Sequence, residues 1–249
     1  MRGLRSLLVT MDRGFDPVGI VMGAGIYRIW RPTVCTSPMG RAAQPLVYSA
    51  YETSLRDAWH EVVGRLEAEA LRAGAHGVLG VSVSQSWRPE TSMVEIQLLG
   101  TAVRLTGEPP LPRPFLSNLA TEDFLKLLVG GWAPCGLLWG VSAVHVHGYD
   151  NSPVLAGATW SNAELPVSSE AVRLTKSRLD EQARARLADC RAQGAVQVRL
   201  EMEKRTQSCG GGGGILIDGL VLGTGVVRYR PSLAAPSPAR NLRRGRRSP

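Results

Sequence analysis

A repeat constrains this chain more than any other feature. An amphipathic helix beginning near Tyr51 runs into Gly74-Ala75, an alternating strand follows, and a second strand closes on Leu99-Gly100-Thr101. Further along, another helix runs into Gly194-Ala195, a strand follows, and a further strand closes on Leu222-Gly223-Thr224. The spacings agree. Gly23 to Gly74 is 51 residues and Gly140 to Gly194 is 54, while Gly74 to Gly100 is 26 and Gly194 to Gly223 is 29. Landmarks recurring in one order at near-constant spacing describe two similar units in tandem, each reading strand, helix, strand, strand.

In the first unit, residues 19–27 read as a strand whose glycines let something pack closely. Residues 31–47 hold Pro32, Pro38 and Pro45 and are expected to be loop. Leu55, Trp59, Val62, Leu66 and Ala70 recur every three or four positions, which makes one apolar stripe on a helix. Gly74 stands where a helix end wants a left-handed residue. Strands are expected over 79–84 and 94–105, with a turn over 85–92. Four prolines within residues 108–114 block helix and central strand and favour an extended spacer.

The second unit is expected to carry a short helix over 122–129, a strand over 136–147 and a loop over 148–167. Ser168 or Ser169 then caps a helix striped by Val172, Leu179, Ala183, Leu187 and Cys190. Val196, Val198, Leu200 and Met202 alternate with polar residues and predict a strand with those four turned inward. The glycine run 210–214 is read as a hairpin turn into a last strand over 215–229. The fold class is α+β: two tandem β-α-β-β two-layer modules, each with one long helix on a small antiparallel sheet. The expected organisation is a first module over 1–107, the spacer over 108–114, a second module over 115–230 and a disordered tail over 231–249.

Charge has to be located before it is interpreted. The chain carries +8, but Arg240, Arg243, Arg244, Arg246 and Arg247 lie in a tail without an acid. Discounting those five leaves +3 on the other 230 residues, so nucleic-acid or acidic-partner contact is confined to the tail. Five such contacts on B-DNA would give a log–log salt slope of about −4.5. No apolar run reaches the roughly 18 residues of a membrane span. The N-terminus does not read as a secretion signal, so reduced thiols and a cytoplasmic location are expected.

Few residues point to chemistry. His145 and His147 stand two apart on a strand and so share a face, with Cys135 nearby, and these three are the candidate metal ligands. They lack the further spaced partners that a zinc site requires. The glycine run has no Gly-Lys-Ser/Thr and leads into a strand, unlike a phosphate loop. Cys35, Cys135 and Cys190 have no sequence-local partner; only folding can bring one to His60 or His76. Cys190, on the helix stripe, reads as a small core residue. Glu201 and Glu203 fall on the polar side of their strand.

The order of landmarks resembles small bacterial proteins of the YbjQ type, a family labelled as heavy-metal-binding. The first unit matches at Gly23, Tyr51, Gly74-Ala75, Val81-Ser82-Val83 and Gly100-Thr101-Ala102-Val103. The second matches more loosely at Gly140, Gly194-Ala195 and Gly223-Thr224-Gly225-Val226. The resemblance implies one helix on a small sheet, assembly into a ring of five, and a metal role. Two departures bear on that role: Leu46-Val47-Tyr48 replaces a Gly-Gly-Arg before the helix, and Ser82 and Ser84 replace acidic residues. The expectation is a non-enzymatic, self-associating tandem that binds a divalent metal or small ligand. An adaptor acting through the arginine tail and a hydrolase with its site between the modules are the alternatives.

Overall fold

The computed structural model describes residues 14–29, 44–109, 111–147, 164, 166–209 and 212–228. The first unit contains β1 (Phe15–Arg28), β2 (Pro45–Val47), α1 (Ser49–Arg72), β3 (Gly77–Arg88) and β4 (Met93–Leu105). The second contains β5 (Phe115–Leu116), α2 (Thr121–Val129), β6 (Trp132–His147), α3 (Pro166–Asp189), β7 (Gly194–Cys209) and β8 (Gly212–Arg228). Sheet A has the order β1-β4-β3-β5 and sheet B the order β2-β6-β8-β7. In each sheet the strand before the long helix pairs antiparallel with the last strand, which pairs antiparallel with the one between.

The likeness reaches individual irregularities. A bulge falls between Pro17 and Gly19 in β1 and between Pro134 and Gly136 in β6. A second falls between Leu79 and Ser82 in β3 and between Val196 and Arg199 in β7. The helices α1 and α3 are both 24 residues long and stand 117 positions apart, as do the two prolines. At that offset the left-handed Gly74 (φ 65°) matches Arg191 (φ 53°), and Gly80 (φ 65°) matches Gln197 (φ 53°). The expected pairing of Gly74 with Gly194 is therefore corrected. Gly194 lies opposite Val226 as Gly77 lies opposite Val103, and it already belongs to the strand.

The α1 stripe is as expected: Leu55, Trp59, Val62, Leu66 and Ala70 are all buried. The helix crosses β1 at Gly23, where an added Cβ would overlap the Val62 carbonyl and approach Leu66 N to 2.9 Å. Gly140, the matching residue of β6, would meet side chains of Gln182 and Val221 at 3.0 and 3.1 Å. Helix α3 differs from its stripe. Ala171, Thr175 and Leu179 are the buried residues, whereas Val172, Ala183 and Leu187 are half-buried. It also starts at Pro166, since proline's missing N–H costs nothing in a first turn.

Three other expectations change. Residues 45–47 are strand, and residues 85–88 extend β3 so that the turn is confined to 89–92. On β7, Val198 and Leu200 are 52% and 44% exposed, because α3 lies over β6 and β8 and leaves this edge strand uncovered. The proline-rich spacer, expected to be extended, is tied to the first unit through its described residues. Phe115–Leu116 join sheet A in parallel with β3, His76 Nε2 bonds to the Pro109 carbonyl at 2.7 Å, and Arg113 pairs with Glu67 at 2.8 Å.

Each unit also lends a strand to the other. β2 precedes α1 in sequence but pairs with β6 of sheet B, while β5 extends sheet A. Residues 117–119 then run through both bulges. Ser117 and Leu119 carbonyls accept from Val81 and Gly80 N–H, and Asn118 Nδ2 donates to the Gln197 carbonyl. Buried Thr224 holds the same segment through Ser117 Oγ at 3.0 Å and Asn118 Oδ1 at 2.6 Å. The core is accordingly continuous: one buried cluster joins Leu55, Trp59 and Leu66 of the first unit to Trp139, Val141 and Leu222 of the second. The resulting layers are sheet A, α1, sheet B and α3.

Because Gly23 meets backbone and Gly140 meets side chains that can turn, the two glycines should respond differently to one methyl group. Gly23→Ala is expected to cost about 3 kcal/mol or slightly more and Gly140→Ala about 1 kcal/mol. Urea denaturation followed by circular dichroism measures both.

Candidate functional site

The site grows out of the joint between the units. At the bulge between Pro134 and Gly136 in β6, Cys135 is the extra residue, and Cys190 follows the last turn of α3. These elements converge, so the two sulfurs lie 2.8 Å apart although 55 residues separate them. Beneath them is Gly225 of β8, where an added Cβ would stand 3.1 Å from Cys190 Sγ and 3.2 Å from Cys135 Sγ. Sheet A has Val18, Ala73 and Ala102 at the matching positions, so only the second unit has built this cradle.

The thiols open onto a cleft of about 560 Å³. Its walls come from α1 (His60, Val63, Glu67), residues 111–116, β6 (Pro134 to Leu137, Trp139) and the end of α3 (Arg186, Asp189). Trp139 organises it. Its ring stacks on Trp59 at 5.5 Å, meets His60 edge-on at 4.8 Å, and carries the Arg186 guanidinium 4.3 Å above its face. Arg186 Nη2 donates to His60 Nε2 at 2.6 Å, and its Nη1 pairs with Asp189 at 3.4 Å. Across the cleft Glu67 pairs with Arg113.

Electrostatics follow from this packing. Burial first and the Arg186 charge second hold His60 below the ordinary histidine range, so it is neutral at pH 7 and its Nε2 can accept. Burial also lowers Arg186 despite Asp189. Desolvation first, then the hydrogen bond it gives Cys190 and the Coulombic interaction with that sulfur, push the Cys135 thiol up to about 12. Cys135 is therefore a protonated thiol, the reverse of an activated nucleophile.

The other expected metal ligands are dispersed. His145 lies ten residues along β6 from Cys135, roughly 33 Å for an extended strand. The two cannot share an ion. His145 is 2% exposed and stacks on Tyr48 at 4.8 Å, where it serves as a packing residue under β2. His147 ends β6 opposite Gly214. Among the described residues no group of three or more His, Cys, Asp and Glu is placed to hold a metal. Cys35 and the five tail arginines (Arg240, Arg243, Arg244, Arg246, Arg247) lie outside the described residues. Glu203 pairs with Arg205, and Glu201 is exposed. Cys190 is half-buried beside its partner sulfur and is not the core residue its helical spacing implied. The pairing of Cys135 with Cys190, in a cleft that His60 also lines, had no signal in sequence: none of these residues is close to another along the chain.

Fold and site together define a tandem of two-layer α+β units with a cysteine-bearing cleft at the joint. Residues 47–106 match the YbjQ-type family described as "Putative heavy-metal-binding". The chain is also 30% identical over 141 residues to an encapsulin nanocompartment protein of Mycobacterium tuberculosis, 53% of this chain and 51% of the relative. It thus spans about half the length of the curated relative it matches. A heavy metal, the group that the family description implies, suits the two sulfur donors above Gly225, whereas His145 is packed against Tyr48. Among the described residues no helix is long and apolar enough to cross a membrane.

The high pKa has a direct chemical readout. At pH 8, Cys135 should be alkylated by iodoacetamide roughly 10³-fold more slowly than an ordinary thiol, from its thiolate fraction alone. The rate should keep rising with pH well past the point where a normal cysteine levels off. Peptide mapping of alkylated protein between pH 7 and pH 10 measures this, in a chain carrying Cys190→Ser as a comparison in which the neighbouring sulfur is absent.

Proposed function

We propose that the protein is a non-enzymatic, self-associating pair of fused YbjQ-type units that holds a metal or small ligand in the cleft between them. One observation carries the association: the same sheet face is covered in one unit and uncovered in the other. In sheet B, Trp139, Val141, Ala143 and Leu222 lie in the core beneath α1. In sheet A the matching residues are Met22, Ala24, Ile26 and Leu99, and with Ile20 they form an open apolar strip along β1, bordered on the same face by Glu95, Gln97 and Ser84. Ile20 is 74% and Ile26 68% exposed. Burying such side chains contributes about 1.5–3 kcal/mol each.

The occupant we assign is the same face of a second copy. Helix α3 is a poor substitute, because the positions that α1 turns towards sheet B as Trp59, His60 and Val63 are Lys176, Ser177 and Asp180 in α3. Exposed Arg173 and Arg184 lie nearby. That charge argues for a two-fold, face-to-face contact rather than a head-to-tail ring. The encapsulin nanocompartment relative is consistent with a role exercised through protein contacts, and we extend the proposal to association with such a compartment.

Two features support the non-enzymatic reading. The Cys135 thiol is shifted away from nucleophilicity, and the nitrogen of His60 that would act as a base is occupied by Arg186. A cytoplasmic location is proposed with it, since reduced Cys135 and Cys190 suit that compartment.

Light scattering after size exclusion at tens of micromolar tests the association. A dimer or larger species is expected, and Ile20→Glu with Ile26→Glu should reduce it to monomer while Val198→Glu on β7 leaves it intact. A monodisperse wild-type monomer overturns the proposal.

A further inference from the structure

We propose that Cys135 and Cys190 form a two-thiolate site for a soft, thiophilic divalent cation of the mercuric class. This rests on the reading of the cleft as a ligand site and specifies which cation it takes.

Donor number comes first. Zinc in a closed site takes four ligands, and calcium and magnesium take oxygens. Here two sulfurs meet and, among the described residues, no third His, Cys, Asp or Glu joins them in a metal-holding group. Two thiolates satisfy a soft closed-shell cation that accepts two-coordination, and softness selects sulfur over the neighbouring carboxylates.

Charge then separates divalent from monovalent ions. The fixed charges around the cleft cancel, Glu67 against Arg113 and Arg186 against Asp189, and His60 is neutral. Binding converts two thiols and one M²⁺ into a neutral M(SR)₂ with release of two protons to solvent, so the half-buried site keeps its balance. A monovalent cation such as cuprous ion would leave one uncompensated negative charge there, which low-dielectric surroundings penalise.

Space supplies the third argument. Gly225 makes room for both sulfurs, and the cleft beyond them lets the side chains turn apart around an ion. The sheet A equivalents, with a valine, an alanine and a second alanine, offer neither donors nor room.

The test uses full-length protein carrying Cys35→Ser and Cys209→Ser, so that only the two thiols in question remain. Mercuric chloride is titrated while the near-ultraviolet thiolate-to-metal absorption and the alkylation of each cysteine are followed. One equivalent should protect both cysteines together and release two protons. Zinc should protect neither, and cuprous ion in a stabilising buffer should bind on the order of 10²-fold more weakly than in a peptide bearing two unhindered thiols. Further introducing Cys190→Ser should weaken mercuric binding on the order of 10²-fold. Gly225→Val keeps both donors and crowds them, and should weaken binding about 10-fold or more with an unchanged circular dichroism spectrum. Two equivalents bound independently, one per cysteine, overturn the assignment, as does equal protection by zinc or unaltered binding in Gly225→Val. Light scattering on the same samples keeps the two proposals apart: lost metal binding with the assembly intact sinks this site alone.

Discussion

Helix α1 is buried on opposite sides at once, and the rest of the molecule depends on that. Nine of its residues are inaccessible, because sheet A lies along one side and sheet B along the other. A lone two-layer unit leaves one sheet face in water, and its core is marginal for its size. Sharing one helix between two sheets removes that defect for sheet B, with Trp59 stacked on Trp139 as the central contact. Polar ties across the joint are placed where the apolar ones stop. Buried Glu52 of α1 accepts from Arg178 of α3 at 2.7 Å, and Gln182 closes on both backbone groups of Val141, at 3.1 and 2.7 Å. Arg65, the α1 counterpart of Gln182, reaches the Ala24 carbonyl in the same way, so both sheets use their own helix to blunt an edge.

The two units have diverged in what their equivalent positions do. Where α1 presents Trp59 and Val63, α3 presents Lys176 and Asp180, and the stack ends there in a solvated helix. Where sheet A has Val18, Ala73 and Ala102, sheet B has Cys135, Cys190 and Gly225. The first unit thus supplies the buried middle layer. The second supplies the thiols, and the cleft needs both, since His60 and Glu67 come from one and Arg186 and Asp189 from the other.

Much of the architecture was legible in the residues. The stripe from Leu55 to Ala70 and the order of glycine landmarks sufficed to find the long first helix and the doubled plan, because those patterns report local backbone geometry and a single buried face. The failures share a cause. Gly194 was matched to Gly74 by residue type, whereas the left-handed position is filled by Arg191, a conformation seldom asked of arginine. Val198 and Leu200 alternate as a buried strand should, but alternation cannot say that α3 stops short of β7. His145 and His147 looked paired because they are neighbours in sequence, while the actual cysteine pair is set by where a strand bulge and a helix end meet. Long-range coincidences of that kind leave no periodicity.

The exchange of short strands carries a consequence for how the chain is made. Among the described residues Val47 has its strand partner in Val144, so that stretch leaves the ribosome well before this partner is made. At roughly 5–20 residues per second the wait lasts on the order of 5–20 s. Throughout it, Trp59 and its neighbours have one side exposed to the cytosol of the translating cell. Synthesis of the second half is therefore also the step that shields the first, and a nascent chain stalled between the two halves is the form of this protein most in need of a chaperone.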